Sequence, residues 1–286
     1  MIIDISEWQV PATINYSMLA KQVQVVIVRV QYGKDYEDRA YKQHLQMFQS
    51  LGIPCAVYAW VRGKTIQEMK EEACIFYQRA QAFQPAFWWL DVEEQSMLDM
   101  RAGCERYRRT LKECGSSKVG AYIANHLYHQ FQLDTPAFDA IWLPSYGKNT
   151  GLFEGVTPTA TREYQLHQYT SNGRLSGYNG PLDLNQLNRT TFETLFGRTV
   201  SSKKETNENG KGELTLRTFQ LEYPIYLRTK PTVQSGVIAL LPKDAQVRIQ
   251  NIHIADGYLW GEQLRSDGTK GYLALGNFEK FGKLIT

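Results

Sequence analysis

A chain of 286 residues, 43% hydrophobic and 21% charged, has the composition of a soluble globular protein, and its length allows two domains or one large barrel with an appendage. Its net charge of +3 is too small for a nucleic-acid face. The surplus lies from Ser201 onward, where 12 Lys/Arg oppose 9 Asp/Glu, against 20 and 20 before it; such a small excess is compatible with a polyanionic partner.

No window reaches the ~20 apolar residues of a membrane span. The N-terminus has no apolar leader pattern, since Asp4, Glu7 and Gln9 interrupt it at once, so folding in the cytosol is the expectation. The 6 Trp, 17 Tyr and 12 Phe are ordinary core material, although flat rings also stack on the apolar faces of sugars. Cys55 falls in a strand-like run and Cys74, Cys104 and Cys114 in helix-like segments. None has metal-ligand spacing, so reduced thiols and no metal or cofactor are expected.

In chain order, Met1–Ile5, Val25–Val30, Pro54–Trp60, Ala86–Val92 and Lys118–Ile123 are continuous apolar runs that predict buried parallel strands. Between them Glu37–Ser50, Thr65–Phe83 and Met97–Cys114 carry helical periodicity, and Thr65 with Glu68 has the spacing of a capping box. After Ala140 the rhythm changes. Ala140–Leu143, Glu163–Tyr169 and Leu182–Leu184 read as strands joined by Gly-, Pro- and Thr-rich segments, and Gln186–Phe196 as a closing helix. Strand–helix alternation over about eight strands predicts an α/β class, an irregular (β/α) barrel over residues 1–197. Residues 198–211 are almost devoid of apolar side chains and predict a linker. Residues 212–286 hold only short strand-like runs, at Thr215–Phe219, Ile225–Arg228, Val237–Leu241, Gln246–His253, Tyr258–Leu264 and Gly271–Leu275, and predict a small all-β barrel.

The most informative window is Phe87-Trp88-Trp89-Leu90-Asp91-Val92-Glu93-Glu94. Residues i and i+2 of a strand share a face, and strand C-terminal ends open onto the active-site side of a parallel barrel. Asp91 and Glu93 should therefore enter one cleft, their Cβ atoms roughly 6–7 Å apart. A protonated carboxyl beside a charged one is what glycoside hydrolysis needs. Alone, Asp-X-Glu after a strand is usually a solvated loop or a helix cap. Further acids sharpen the reading: Asp4 at the end of the first strand and Asp183 at the end of the last, which become neighbours when a barrel closes. A ring of acids could instead hold a divalent cation, but no His or Asn ligand pattern supports it.

Asp4-Ile5-Ser6, Ala56-Val57-Tyr58 and Trp89-Leu90-Asp91-Val92-Glu93 resemble glycoside hydrolase family 25, the Chalaropsis-type N-acetylmuramidase lysozymes common among phage endolysins. Gly120-Ala121-Tyr122, Trp142-Leu143-Pro144-Ser145-Tyr146-Gly147, Gln168-Tyr169 and Leu182-Asp183-Leu184-Asn185 continue the series to about Gly197. The resemblance implies Glu93 as general acid, Asp91 as its partner, and Asp4 and Asp183 completing an acidic floor. Tyr58, Trp60, Tyr122, Trp142, Tyr146 and Gln168 would line the sugar groove. It also implies cleavage of the β-1,4 bond between N-acetylmuramic acid and N-acetylglucosamine, with no cofactor. The chain departs from the family at His167-Gln168-Tyr169, where Trp-Gln-Tyr is common, and at Tyr58-Ala59-Trp60, where Tyr-His precedes an aromatic; His167 reads as a packed strand residue.

Tyr226-Leu227-Arg228, Gln246-Val247-Arg248-Ile249, Asp256-Gly257-Tyr258-Leu259-Trp260 and Lys270-Gly271-Tyr272-Leu273 resemble a bacterial SH3-like cell-wall-binding module, with Tyr258, Trp260 and Tyr272 as the wall contacts. The expectation is a monomeric, modular endolysin that waits in the host cytoplasm and then acts on peptidoglycan, with no nucleic acid or membrane as partner. The competing expectations are a chitinase-like enzyme acting on N-acetylglucosamine polymers and a non-catalytic wall-binding protein.

Overall fold

The computed structural model describes residues 1–197, 217–255, 258–265, 267–277, 279–280 and 282–285; the segment read as a linker, 198–211, lies outside them. The chain divides into two compact units, Met1–Ser201 and Ser202–Thr286.

The first unit runs β1 (Ile2–Ile5), α1 (Tyr16–Leu19), β2 (Val25–Tyr32), β3 (Tyr36–Glu37), α2 (Tyr41–Ser50), β4 (Cys55–Trp60), α3 (Ile66–Ala80) and β5 (Trp88–Val92). It continues with α4 (Met100–Cys114), β6 (Val119–Ile123), α5 (Tyr128–Phe131), β7 (Ile141–Pro144), β8 (Leu166–Gly173), β9 (Leu182–Leu187) and α6 (Phe192–Phe196). The strands follow one another in the order β1-β9-β8-β7-β6-β5-β4-β2, and β1 also pairs with β2, so eight strands close into a barrel with β3 attached to β2. Pairing is parallel from β1 through β2, β4, β5, β6, β7 and β8. It is antiparallel on both sides of β9.

Alternation along each strand sorts two apolar sets. Ile3, Ile5, Val26, Val28, Val57, Leu90 and Val92 pack outward in one cluster with Phe76, Tyr107 and Leu111 from α3 and α4. Ile2, Val25, Ile27, Ala56, Phe87, Trp89, Trp142 and Leu166 have the opposite parity and fill the barrel, where Leu195 and Phe196 of α6 join them. The runs are apolar on both faces because both are covered. Gly120 is part of this packing, since a Cβ there would press into the Trp89 ring and stand 2.7 Å from the Ala140 carbonyl oxygen. Towards the C-terminal ends of the parallel strands the inward residues turn polar, and the mouth begins there.

The helices start where side chains replace missing backbone partners. Thr65 Oγ1 accepts from the Glu68 amide at 3.1 Å and Glu68 accepts from the Lys64 amide at 2.8 Å, fixing the start of α3. Asp99 caps α4 through the Ala102 amide at 2.9 Å, and Gly115 ends it at φ +111°.

Three expected elements differ. The helix expected over Gln186–Phe196 is strand as far as Leu187 and helix only from Phe192, because Gln186 and Leu187 pair with His167 and Leu166 of β8. The helix expected from Glu37 begins at Tyr41, since Tyr36 and Glu37 pair with β2 and Asp38 accepts from the Ala40 amide at 2.9 Å. The run Gln246–His253 is broken at Gln250.

The second unit is all strand: β10 (Arg217–Leu221), β11 (Ile225–Arg228), β12 (Val237–Leu241), β13 (Gln246–Ile249), β14 (Asn251–Ala255), β15 (Tyr258–Leu264), β16 (Lys270–Asn277), β17 (Glu279–Lys280) and β18 (Gly282–Ile285). They form one sheet ordered β13-β10-β18 and another ordered β12-β11-β16-β15-β14, with β17 on β16. Phe219, Leu221, Ile225, Leu227, Val247, Ile249, Leu273 and Leu275 build its core.

Candidate active site

The barrel mouth holds an open cleft lined by Asp4, Asp91, Glu93 and Asp183 together with Tyr58, Trp60, Tyr122, Trp142, Tyr146 and Gln168. All ten residues singled out in the first domain therefore converge on one place. Asp4 and Asp183 are direct partners across the β1–β9 seam. Asp183, expected at the end of its strand, stands near the beginning, because β9 runs antiparallel and brings its N-terminal end to the mouth.

The acids form two coupled pairs. Asp91 is buried on β5, and Glu93, just beyond the strand end, is half-buried. Burial, with the Glu93 charge next, holds the Asp91 carboxyl well above the usual carboxylate range; Arg29 opposes this. Glu93 is also raised by burial, although the hydrogen bond from Asp91 pulls the other way. Two neighbouring carboxylates repel, so ionising one makes the other harder to ionise and the pair holds on to a proton more tightly than separate acids would. Carboxyls in hydrogen-bond contact stand closer than the ~5–9 Å that separates two carboxyls flanking a glycosidic bond. Asp91 and Glu93 thus face the cleft from the same side. Among the described residues Asp91 Oδ1 has no hydrogen-bond partner.

In the second pair, burial and then the Asp4 and Glu93 charges push Asp183 up to about 9. Burial raises Asp4 to about 6, held there against hydrogen bonds from Asn185 and Gln168. Asn185 Nδ2 donates to Asp4 at 2.7 Å and Gln168 Nε2 at 3.0 Å, while the Tyr122 hydroxyl donates to Gln168 Oε1 at 2.9 Å and Tyr146 donates to the same oxygen. These two hydroxyls fix which end of the amide faces Asp4, so Asp4 is the carboxylate of its pair and Asp183 carries the proton.

The aromatic side chains differ in what they offer. Trp60 gives its indole N–H to Glu94 at 3.1 Å, and Glu94 also accepts from Arg62 at 2.7 Å, tying the loops after β4 and β5 together beside Glu93. Trp142 packs edge-on against Trp89 and Tyr122, and its indole nitrogen is buried with no partner among the described residues. His167 faces away from the cleft, 1% exposed, bonded to the Ser145 carbonyl at 2.9 Å. Among the described residues no three acidic, His or Cys side chains converge to hold a metal ion.

Sequence reasoning passed over Ser6, Trp8, Gln9 and Arg29, which also line the cleft. Trp8 is 74% exposed, presented by a turn in which Gln9 accepts from the Ser6 amide at 3.0 Å. A tryptophan among polar residues three positions beyond a strand end was the available signal. Arg29, the one cation of the lining, is held by Asp38 at 3.0 Å and Glu7 at 3.2 Å.

A family model, Glycosyl hydrolases family 25, matches residues 3–178. The chain belongs to this family. It is a glycoside hydrolase. Among solved structures, a family 25 glycosyl hydrolase of Streptococcus pneumoniae, described as a virulence factor in host cell invasion, is 37% identical with a TM-score of 0.66, covering 68% of this chain and 92% of that one. The catalytic domain of endolysin ply40 from Listeria bacteriophage P40 is 28% identical with a TM-score of 0.63, covering 69% and 97%. A Streptomyces coelicolor lysozyme, 17% identical with a TM-score of 0.55 over 69% and 95%, shares the fold. No curated protein matches the chain.

Of the expected wall contacts in the second unit, Tyr258 and Tyr272 are half-buried, the latter donating to Glu262 at 3.3 Å. Trp260 is a correction. It is 1% exposed and gives its indole N–H to the Ala255 carbonyl at 2.9 Å, so neither its ring nor its N–H is open to a ligand.

Proposed function

We propose that this family 25 glycoside hydrolase is an endolysin-type muramidase that cleaves the β-1,4 bond between N-acetylmuramic acid and N-acetylglucosamine in peptidoglycan. What supports this reading best is the placement of Asp91 and Glu93 side by side in the cleft at the barrel mouth, where burial raises both carboxyls above the usual range. Glu93, the more exposed of the two, gives a proton to the leaving glycosidic oxygen. Asp91 then carries the negative charge beside the developing positive charge at the anomeric carbon. Its partnerless Oδ1 suits the N–H of a substrate acetamido group. Asp4 and Asp183 form the acidic floor, Tyr58, Tyr122, Trp142, Tyr146 and Gln168 shape the groove, and Trp8 offers a sugar ring its exposed face. The all-β unit is read as an SH3-like module that holds wall peptide through Tyr258 and Tyr272. Residues 1–197 would be the catalytic domain and 212–286 the binding domain. The working place is the cell wall, reached from the host cytoplasm at lysis.

Glu93→Gln keeps the size and hydrogen-bonding capacity of the acid but not its proton. It should lower turnover of purified walls by at least about 10³-fold with Tm unchanged. Mass spectrometry of wild-type digests should find muramic acid at the new reducing ends. Peptide fragments alone, or a folded variant that lyses normally, would overturn the reading.

A further inference from the structure

The buried stripe of α3 contains a charge-bearing side chain. Met69, Glu72, Ala73, Phe76 and Ala80 recur at helical spacing and are buried, and Glu72 itself is 1% exposed. A leucine or methionine would fill that place without penalty, whereas a carboxyl taken out of water needs polar partners. Burial raises Glu72 to about 8, against the pull of the Arg62 backbone N–H.

That N–H belongs to the loop after β4. The Arg62 amide, two residues past the strand, donates to both Glu72 oxygens at 3.2 Å. One turn earlier on α3, Glu68 accepts from the Lys64 amide at 2.8 Å. Between these two anchors Gly63 rests on the helix start, where a Cβ would stand 2.8 Å from the Met69 nitrogen and 3.0 Å from its Cα. The loop is therefore seated on α3.

Its other side grips the segment that carries the acid pair. Trp60 gives its indole N–H to Glu94 at 3.1 Å, and Val61 gives its amide to the Asp91 carbonyl at 2.9 Å. Arg62 Nε donates to Glu94 at 2.7 Å, and the Gly63 carbonyl accepts from Ser96 Oγ at 2.8 Å. Four consecutive residues are thus each bonded to residues 91–96, on both sides of Glu93. A half-exposed pair such as Arg62–Glu94 holds little by itself, and the set is firm only if the loop has a fixed base.

We propose that Glu72 is a positioning residue for the hydrolysis: from the helix layer outside the barrel it fixes the loop after β4 and, through that loop, the segment that carries Asp91 and Glu93. The inference rests on the reading of Glu93 as the proton donor. A donor displaced by about 1 Å loses rate while the groove that binds the sugars keeps its shape, so the loss belongs in kcat. Charged or neutral, the Glu72 carboxyl offers the oxygen that the Arg62 amide needs, and a glutamine amide offers the same. Methionine offers none, although it suits the apolar stripe.

Steady-state turnover of soluble glycan fragments of the wall by the full-length chain tests this, at a temperature where circular dichroism shows each variant folded. Glu72→Met should lower kcat by about tenfold or more with KM within about threefold of the wild type. Glu72→Gln should keep kcat within about threefold, because it restores the acceptor. Gly63→Ala pushes the same loop off α3 at a different atom and should reproduce the kcat loss, which keeps the test decisive if Glu72→Met folds poorly. Normal turnover by Glu72→Met, a loss confined to KM, or a Glu72→Gln enzyme as impaired as Glu72→Met would overturn the proposal. Glu93→Gln measured alongside separates the two readings. If it is inactive while Glu72→Met is normal, the positioning role alone fails; if it is fully active, the proton-donor reading fails and takes the positioning role with it.

Discussion

Asp183 shows how costly the site is at the scale of one residue. Its carboxyl titrates at about 9, held protonated by burial and by Asp4 and Glu93. In the unfolded chain the same group would lose its proton near the ordinary aspartate value of about 3.9. The folded state thus holds a proton that the unfolded state releases. Its contribution is fully present below about pH 4 and is lost as the pH rises through the folded value. Asn at this position supplies from its amide the hydrogen bond that the protonated carboxyl gives to Asp4, but cannot ionise. Asp183→Asn should raise Tm at pH 8 by roughly 3 °C and leave it unchanged at pH 4, while activity falls. Thermal melts across this range check it, and a Tm gain independent of pH would show that repulsion among the acids is not the cause. The same residue marks what the sequence could and could not say. Asp4 and Asp183 were legible as neighbours because closing any barrel joins its first strand to its last. That Asp183 stands at the beginning of β9 was not legible, since strand direction leaves no trace in a short apolar–polar alternation.

Elements were readable where their pattern was redundant. The β1, β2, β4, β5 and β6 runs are apolar on both faces, and α3 and α4 carry capping side chains at their first turns, so period and punctuation agree. β9 was not readable. Gln186 has no strand preference of its own, and only pairing with β8 makes it and Leu187 strand. Trp260 was misread for a related reason: in Tyr258-Leu259-Trp260 every side chain is large and apolar, and period two does not say which face is covered. Gly120 gives a test at this scale, because the barrel interior at its level is filled by Trp89 and leaves no room for a methyl group. The neighbours are an indole wedged between Phe87 and Trp142 and the Ala140 carbonyl, which is tied to the Ala121 amide, and neither can move cheaply. Gly120→Ala should destabilise the first unit by about 1–3 kcal/mol, against the usual gain from replacing a strand glycine. Urea unfolding followed by tryptophan fluorescence measures it. Adding Trp89→Phe should recover part of the loss, and failure to recover any would place the strain elsewhere.

The whole molecule joins two units with separate apolar cores. The first needs nothing from the second to complete its cleft, whose lining all comes from residues 4–183, and the family match lies within residues 3–178. The ply40 structure, itself a catalytic domain, is covered over 97% of its length. The second unit has the chain's excess of positive charge from Ser201 onward and no comparable acidic cleft among its described residues. Under the proposed function its part is delivery. Tethering raises the local concentration of a catalytic cleft on an insoluble polymer without changing the chemistry in that cleft. A chain ending at Ser201 should therefore cleave short soluble glycan chains at the full-length rate within about twofold. On intact walls at low enzyme concentration it should be slower by on the order of 10²-fold, the gap closing as enzyme approaches saturation. Release of reducing sugar from the two substrates, measured side by side, distinguishes delivery from support. Equal losses on both would mean that the second unit props the barrel, and no loss on walls would leave it without a role in binding them.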